Sequence, residues 1–175
     1  DLITLFVALE VFSLPLYLLA GLSRRKRLLS QEAALKYFLL GAYASAFFLF
    51  GAAFLYGYAG TISLVGISAA AGSANEVFLL IGIVFVSVGL LFKISAVPFH
   101  SWTPDVYQGA PTPITAFMAA CTKVAAFGAI LRIFYIGFAE VETLWRPIIT
   151  VIAILTMLLG SVVAIAQRDV KRMLA

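Results

Sequence analysis

Four ionisable residues lie inside long apolar stretches of the sequence: Glu10, Lys36, Lys93 and Lys123. At the centre of a bilayer each such charge costs roughly 2.5 kcal/mol or more, so residues of this kind usually serve a function. A carboxylate and an amine at one depth can share or exchange a proton, whereas the guanidinium of arginine stays protonated. These residue types therefore indicate proton transfer within an apolar environment.

The composition provides that environment. Of the 175 residues, 63% are hydrophobic and 11% are charged, and the mean hydropathy is +1.09. Soluble domains carry about 25% charged residues, so the chain is expected to lie in a membrane. The net charge is +4, and the basic residues cluster at the ends of apolar segments, which argues against nucleic-acid binding. One cysteine and one histidine provide no disulfide within the chain and no typical metal cage, so no metal site is predicted.

The hydropathy pattern predicts an all-α polytopic membrane helix bundle with about five transmembrane helices. The basic residues cluster after the first helix and after the fifth. The loops at 58–75 and 138–146, on the opposite side of the membrane, contain no lysine or arginine except Arg146. Both clusters therefore face the cytoplasm by the positive-inside rule. The predicted spans are residues 2–22, 31–57, 76–108, 113–138 and 147–167, and the clusters are residues 24–27 and 168–172.

The third predicted span is discontinuous. Residues 76–108 are too many for one straight helix across a core of about 30 Å at about 1.5 Å per residue. Pro98 lacks a backbone donor and disfavours helical geometry at Val97, so we expect a helix break at Pro98. The alternative is an ordinary helix that ends at Val97 and is followed by a loop.

Counting residues from the inner ends of these helices places Glu10, Lys93 and Lys123 about 16 to 22 Å deep, near the middle of the bilayer. Glu10 and Lys93 carry opposite charges, so we expect them to form a pair whose rearrangement controls the proton on Lys93. The alternative is a static ion pair that fixes helix packing. Lys36 lies nearer the inner end and can also extend to the surface.

Two further residues follow the break. His100 comes seven residues after Lys93 and titrates near neutrality, so it either relays protons or has a structural role. Asp105 lies near the inner end of the third span. It either caps the turn or the following helix, or it takes up protons for the relay.

The segment from Phe92 to Pro113, with the sequence FKISAVPFHSWTPDVYQGAPTP, closely resembles the signature of the antiporter-like membrane subunits of respiratory complex I. These subunits are related to Mrp-type cation/proton antiporters. Three other features resemble the N-type subunit, also called subunit 2. They are Glu10 before the sequence VFSLP, Lys123 and Arg132 in the fourth span, and the sequence DVKRML at 169–174.

The resemblance runs through essentially all 175 residues. It implies that residues 1–175 are part of a single antiporter-like transmembrane domain, from the family's fifth helix to its ninth with the start of the tenth. The family fold contains two inverted five-helix repeats, so we expect this chain to be a piece of a longer protein. The resemblance also implies that Glu10 and Lys93 form the pair of the first repeat, and that Lys123 passes protons towards a lysine of the second.

The implied function is that of a proton-translocating subunit of an NADH:quinone oxidoreductase, a respiratory-chain translocase. Its expected relay comprises Glu10, Lys36, Lys93, His100 and Lys123. No cofactor is expected in this chain, whereas flavin, iron–sulfur clusters and quinone are implied in other subunits. The expected partners are the other membrane-arm subunits of complex I and the lipid bilayer.

The expected location is the bacterial plasma membrane, in preference to an organellar inner membrane or a thylakoid. The alternative function is that of a subunit in an Mrp-type sodium/proton antiporter, which has no redox partner. A purely structural helix bundle is disfavoured by the cost of three charges near the middle of the membrane.

Overall fold

The computed structural model describes residues 1–24, 27–72 and 76–175, and within these ranges the chain forms helices and turns without a strand. Five of the described helical segments are long and apolar enough to cross a membrane. The predicted all-α bundle with about five transmembrane helices is therefore confirmed. The five segments are Leu2–Ala20, Arg27–Ala59, Glu76–Ile94, Thr112–Gly137 and Ala139–Ile165.

The individual helices follow one another with short connections. Two π-helical turns, Met118–Thr122 and Ile133–Gly137, flank the α-helix Lys123–Arg132 within the fourth membrane segment, and a 3-10 turn, Ala139–Val141, precedes the helix Glu142–Ile165. The helices are α1 (Leu2–Ala20), α2 (Arg27–Ala59), α3 (Leu64–Ala69), α4 (Glu76–Ile94), α5 (Trp102–Gly109), α6 (Thr112–Phe117), α7 (Lys123–Arg132), α8 (Glu142–Ile165) and α9 (Val170–Met173).

Helix α4 ends because Ser95 adopts the left-handed conformation, with φ of 64°. The backbone N–H of Ser95 donates to the Phe92 carbonyl at 3.1 Å, and that of Ala96 donates to the Leu91 carbonyl at 2.9 Å. This pair of hydrogen bonds is a Schellman motif, in which glycine is the usual left-handed residue. Pro98 follows in the turn before α5. That α4 and α5 form one discontinuous crossing stays a prediction.

Two helices begin earlier than their sequence patterns predict. Helix α2 starts at Arg27 instead of residue 31, because residues 27–30 contain neither glycine nor proline to interrupt a helix. Helix α8 starts at Glu142, so Pro147 lies inside the helix instead of at its first position. An ion pair between Arg146 and Glu142, at 3.0 Å, joins consecutive turns before this proline.

Two predicted loops lie partly outside the described residues. Arg25 and Lys26 of the first basic cluster are outside them, and so are residues 73–75 of the loop at 58–75. The described part of that loop contains the short helix α3, which the glycine- and serine-rich pattern did not predict. Its Leu64 and Ile67 are buried in the core.

The core consists of two clusters, one towards each end of the bundle. One contains the start of α1, the end of α2 and the start of α4, with Leu2, Leu55 and Leu79 among its members. The other contains the end of α1, the start of α2 and helix α5. Between the two clusters, the middle of α1, the middle of α2 and the last turn of α4 meet at Glu10, Ser45 and Lys93.

Candidate functional site

Lys93 lies in the last turn of α4 and is 6% exposed. Its Nζ donates a hydrogen bond to Ser13 Oγ at 2.7 Å and a longer one to Tyr17 Oη at 3.5 Å. Glu10 Oε1 is 3.7 Å from the same nitrogen. The structure therefore contains the contact predicted between Glu10 and Lys93, but the shortest bond made by Lys93 is to a serine.

Glu10 is likewise bound to a serine. Its Oε1 accepts a hydrogen bond of 2.5 Å from Ser45 Oγ on α2, and its side chain is more exposed than that of Lys93. Each member of the ion pair thus has a neutral partner at hydrogen-bond distance, while the two charges are slightly beyond it. Lys93 and Glu10 can therefore separate further without leaving either charged group unpaired.

Helix α1 presents Glu10, Ser13 and Tyr17 on one face, because residues three and seven apart lie above one another on a helix. Ser13 is fully buried, and its hydroxyl donates to the Leu9 carbonyl one turn back at 2.5 Å. Its oxygen is thereby directed to accept from Lys93. The sequence interpretation missed Ser13, Tyr17 and Ser45. The spacing of the first two from Glu10 was a signal that could have found them.

Lys123 is on a different helix from Glu10 and Lys93. It directly follows the π-helical turn Met118–Thr122, and its Nζ lies 5.7 Å from the centre of the Tyr107 ring. Turns of this kind occur frequently at functional sites. A cation near an aromatic face is attracted by the ring quadrupole, so the Tyr107 ring is a partner for this side chain.

His100 lies in the turn between α4 and α5. Its Nδ1 is buried and has no hydrogen-bond partner among the described groups. Within the described part of the chain no hydrogen bond joins His100 to Lys93. The relay role of His100 stays a prediction.

Asp105 connects three elements near one end of the bundle. Its Oδ2 accepts from Lys36 Nζ on α2, and its Oδ1 accepts from Arg172 Nη1 on α9, both at 2.7 Å. Lys36 Nζ is also 2.6 Å from Glu32 Oε1, one turn earlier on α2. Glu32 therefore pairs with Lys36 within α2. Because Lys36 and Arg172 meet at Asp105, the start of α2 and α9 lie at the same end of the bundle.

These contacts make Asp105 sensitive to pH. The hydrogen bond from Lys36, supported by Arg172, holds the pKa of the Asp105 carboxyl below its usual value of 3.8. A group whose pKa is depressed by folding stabilises the fold above its unfolded pKa, and this stabilisation disappears as the pH falls through the folded pKa. We expect the thermal unfolding midpoint of the purified full-length protein to fall less steeply with acid in Asp105→Asn than in the parent. Identical declines would show that this carboxylate contributes nothing.

Comparison with known proteins places these features in a family. The family described as "NADH:quinone oxidoreductase/Mrp antiporter, TM" matches residues 1–175. NADH-quinone oxidoreductase subunit N of Rhodococcus opacus (strain B4) is 69% identical over 177 residues, covering 100% of this chain and 33% of the relative. Subunit N of Mycobacterium tuberculosis (strain ATCC 25618 / H37Rv) is 63% identical over 176 residues, with the same coverage. The chain thus spans about a third of the length of these curated relatives.

Solved structures agree in fold. A chain of respiratory complex I from Thermus thermophilus with bound aureothin has a TM-score of 0.82 and 43% identity, covering 99% of this chain and 36% of that one. A chain of the Mrp complex from Dietzia sp. DQ12-45-1b has a TM-score of 0.89 and 27% identity, covering 99% and 32%. The N-type resemblance found in the sequence is confirmed by the subunit N relatives. This chain belongs to the NADH:quinone oxidoreductase/Mrp antiporter transmembrane family.

Proposed function

We propose that this chain is part of a membrane-arm subunit of an NADH:quinone oxidoreductase, and that the subunit moves protons across the bacterial plasma membrane. The high identity to bacterial proteins named subunit N supports the assignment. The five apolar helices support the membrane location. Residues 1–175 then belong to one antiporter-like domain whose remaining helices lie elsewhere in the full-length protein.

One observation carries the proton-transfer proposal: a buried lysine lies 3.7 Å from a carboxylate, while each group hydrogen-bonds to its own serine. An ion pair that served packing alone would gain most from direct contact between the charges. The longer separation suits a pair that forms and opens during function.

The chemistry follows from the cost of burying charge. A carboxylate beside Lys93 favours the ammonium form, and burial disfavours it. When Glu10 moves towards Ser45, or is itself protonated, Lys93 loses its counter-charge and gives up a proton. Ser13 then remains as a hydrogen-bond partner for the neutral amine, because a hydroxyl can both donate and accept. Return of the Glu10 carboxylate restores the affinity of Lys93 for a proton.

The other candidate residues take roles on either side of this pair. We assign proton uptake at the cytoplasmic end to Lys36 and Asp105. His100 relays protons in the turn beside the pair, and Lys123 takes part in the transfer step that follows Lys93. Discontinuity between α4 and α5, centred on Pro98, would expose backbone groups to a polar path within the membrane. Flavin, iron–sulfur clusters and quinone belong to other subunits under this proposal, and the bilayer and membrane-arm subunits are its partners.

The second candidate function is that of a subunit in an Mrp-type sodium/proton antiporter, favoured by the TM-score of 0.89 to the Mrp complex chain. Purification of the tagged full-length protein from its native membranes separates the two. We expect flavin- and iron–sulfur-containing subunits and NADH oxidation to co-purify with it. A purified complex that lacks them but exchanges sodium for protons would establish the antiporter instead.

A further inference from the structure

The turn between α4 and α5 leaves the backbone N–H of Val97 without a partner in its own turn. The N–H groups of Ser95 and Ala96 donate back to α4, and Pro98 has no N–H group. Val97 is only 6% exposed. A buried N–H without a partner is costly, above all in a membrane, where no water can replace it. The N–H of Val97 therefore needs an acceptor from another part of the protein.

Thr156 on α8 supplies that acceptor. Its Oγ1 accepts a hydrogen bond of 3.0 Å from the Val97 N–H, and the same hydroxyl donates to the Ile152 carbonyl one turn earlier at 2.7 Å. Because the hydroxyl hydrogen is directed to Ile152, the oxygen is free to accept from Val97. Among the described residues, this is the hydrogen bond that joins α8 to the turn.

The surroundings of Thr156 are otherwise almost entirely apolar. Thr156 lies on the less exposed face of α8 with Trp145, Ile149 and Ile152. Cavities of about 260 and 220 Å³ lie between this face and α4, and the larger one is lined by apolar side chains apart from Thr156 and Ser87. Apolar contact is non-directional, whereas a hydrogen bond has a defined length and direction. Thr156 is therefore the residue that can fix the position of α8 relative to the turn.

The turn that Thr156 holds is directly connected to Lys93. Val97 lies four residues after Lys93, and backbone hydrogen bonds connect the intervening residues to the last turn of α4. Helix α5 holds the same region, because Trp102 Nε1 donates to the Phe92 carbonyl at 3.2 Å. A displacement of Val97 would therefore move the end of α4 that carries the lysine.

We propose that Thr156 is a positioning residue for the Glu10–Lys93 pair, which it holds in place through its hydrogen bond to Val97. This inference rests on the proposed function, because it needs the pair to transfer protons. Lys93 Nζ is 3.7 Å from Glu10 Oε1, slightly beyond hydrogen-bond distance, so a small shift of the turn changes how the pair meets. A misplacement of about 1 Å can lower the rate of a reaction about 100-fold. Thr156 itself neither gains nor loses a proton.

The test compares two substitutions at position 156. Thr156→Val keeps the size of the side chain and removes the acceptor, whereas Thr156→Ser keeps the hydroxyl. The full-length protein in its complex is assayed in inverted membrane vesicles for the rate of NADH-driven proton uptake, divided by the quantity of assembled complex. We expect Thr156→Val to lower this rate about fivefold or more, because one hydrogen bond contributes about that factor to an equilibrium. Thr156→Ser should restore the parental rate.

Thr150→Val is the matched control on the same helix. Thr150 is exposed, and its hydroxyl donates to the Arg146 carbonyl within α8. Its valine variant should transport protons at the parental rate. If Thr156→Val lowers only the quantity of complex and not the rate for each complex, the role of Thr156 is structural and the proposal is wrong. An equal loss of rate in Thr156→Ser would assign the effect to the lost methyl group and would also overturn it.

Hydrogen–deuterium exchange of the Val97 amide in the parental complex is a second measurement, and it requires no variant to assemble. We expect slow exchange, because the amide is bonded to Thr156. Rapid exchange would show that the bond is absent and would reject the proposal. Lys93→Ala in the same vesicles separates this inference from the proposed function. Normal transport by Lys93→Ala refutes the proposed function, whereas normal transport by Thr156→Val alone refutes only the role of Thr156.

Discussion

Replacing Lys93 with alanine is expected to abolish proton transport by the full-length protein while leaving the complex assembled. The alanine variant loses the amine that contacts both Ser13 and Glu10 and that can hold and release a proton. Removing a proton-transfer group typically lowers a rate by about 10² to 10⁴, which would bring transport to background. Proton uptake in inverted vesicles and the quantity of purified complex are the two measurements.

Two further variants show which property of the pair matters. Lys93→Arg keeps a positive charge but cannot release it, so we expect it to be as inactive as alanine. Glu10→Gln keeps a hydrogen-bond acceptor for Ser45 but removes the charge that favours the lysine proton, so it should also be inactive. Arg146→Ala, at an exposed ion pair on α8, is the matched control and should transport normally.

The static ion pair makes a different prediction. If the pair only fixed helix packing, each single variant would destabilise the protein, because one buried charge would lose its partner. The double variant Glu10→Gln with Lys93→Met would then restore both assembly and transport. Under the relay the double variant assembles and remains unable to transport protons. Restored transport in the double variant would therefore reject the relay.

The sequence predicted the charged pair but not its hydrogen-bond partners, for a physical reason. Burying a charge in the bilayer costs free energy, so a sequence pattern readily identifies Glu10 and Lys93 as unusual. Counting residues from the helix ends then places both at one depth. Serine and tyrosine are tolerated in membrane helices, so the composition does not single out Ser45 and Tyr17. Their role depends on how α2 is rotated against α1 and α4, which tertiary packing decides.

The sequence likewise predicts which segments form the long helices but not where each helix begins or ends. Hydropathy predicts the five long helices because an apolar segment of about 20 residues has few alternatives to a helix in a bilayer. The end of α4 at Ile94 could not be predicted as closely. Pro98 indicated a break in this region, but the helix stops at a left-handed Ser95, a residue type that gives little signal for that conformation. The early start of α8 is hard to predict because proline is favoured at the first position of a helix, so Pro147 suggests a helix that begins there.

Replacing Gly51 with leucine is expected to prevent folding of the full-length protein, because α2 and α4 pack against each other at Gly51 and Gly82 with no room for a side chain. A β-carbon at position 51 would lie 2.6 Å from the Val86 nitrogen and 2.9 Å from the Gly82 oxygen, both backbone atoms that cannot turn aside. Small residues at such contacts allow helices to pack in membranes.

The same packing holds the functional residues together, since α2 carries Ser45 and α4 carries Lys93. Even Gly51→Ala should cost about 1 to 3 kcal/mol, the usual range for overpacking a core, and reduce the yield of assembled complex in detergent. Gly57→Ala on the same helix is the matched control, because its added carbon would lie 3.5 Å from the nearest atom, a Phe78 ring carbon, at ordinary contact distance. If Gly51→Ala unfolds at the parental temperature, α2 and α4 must be able to separate without cost, and the geometry of the Glu10–Lys93 site would not depend on their close approach.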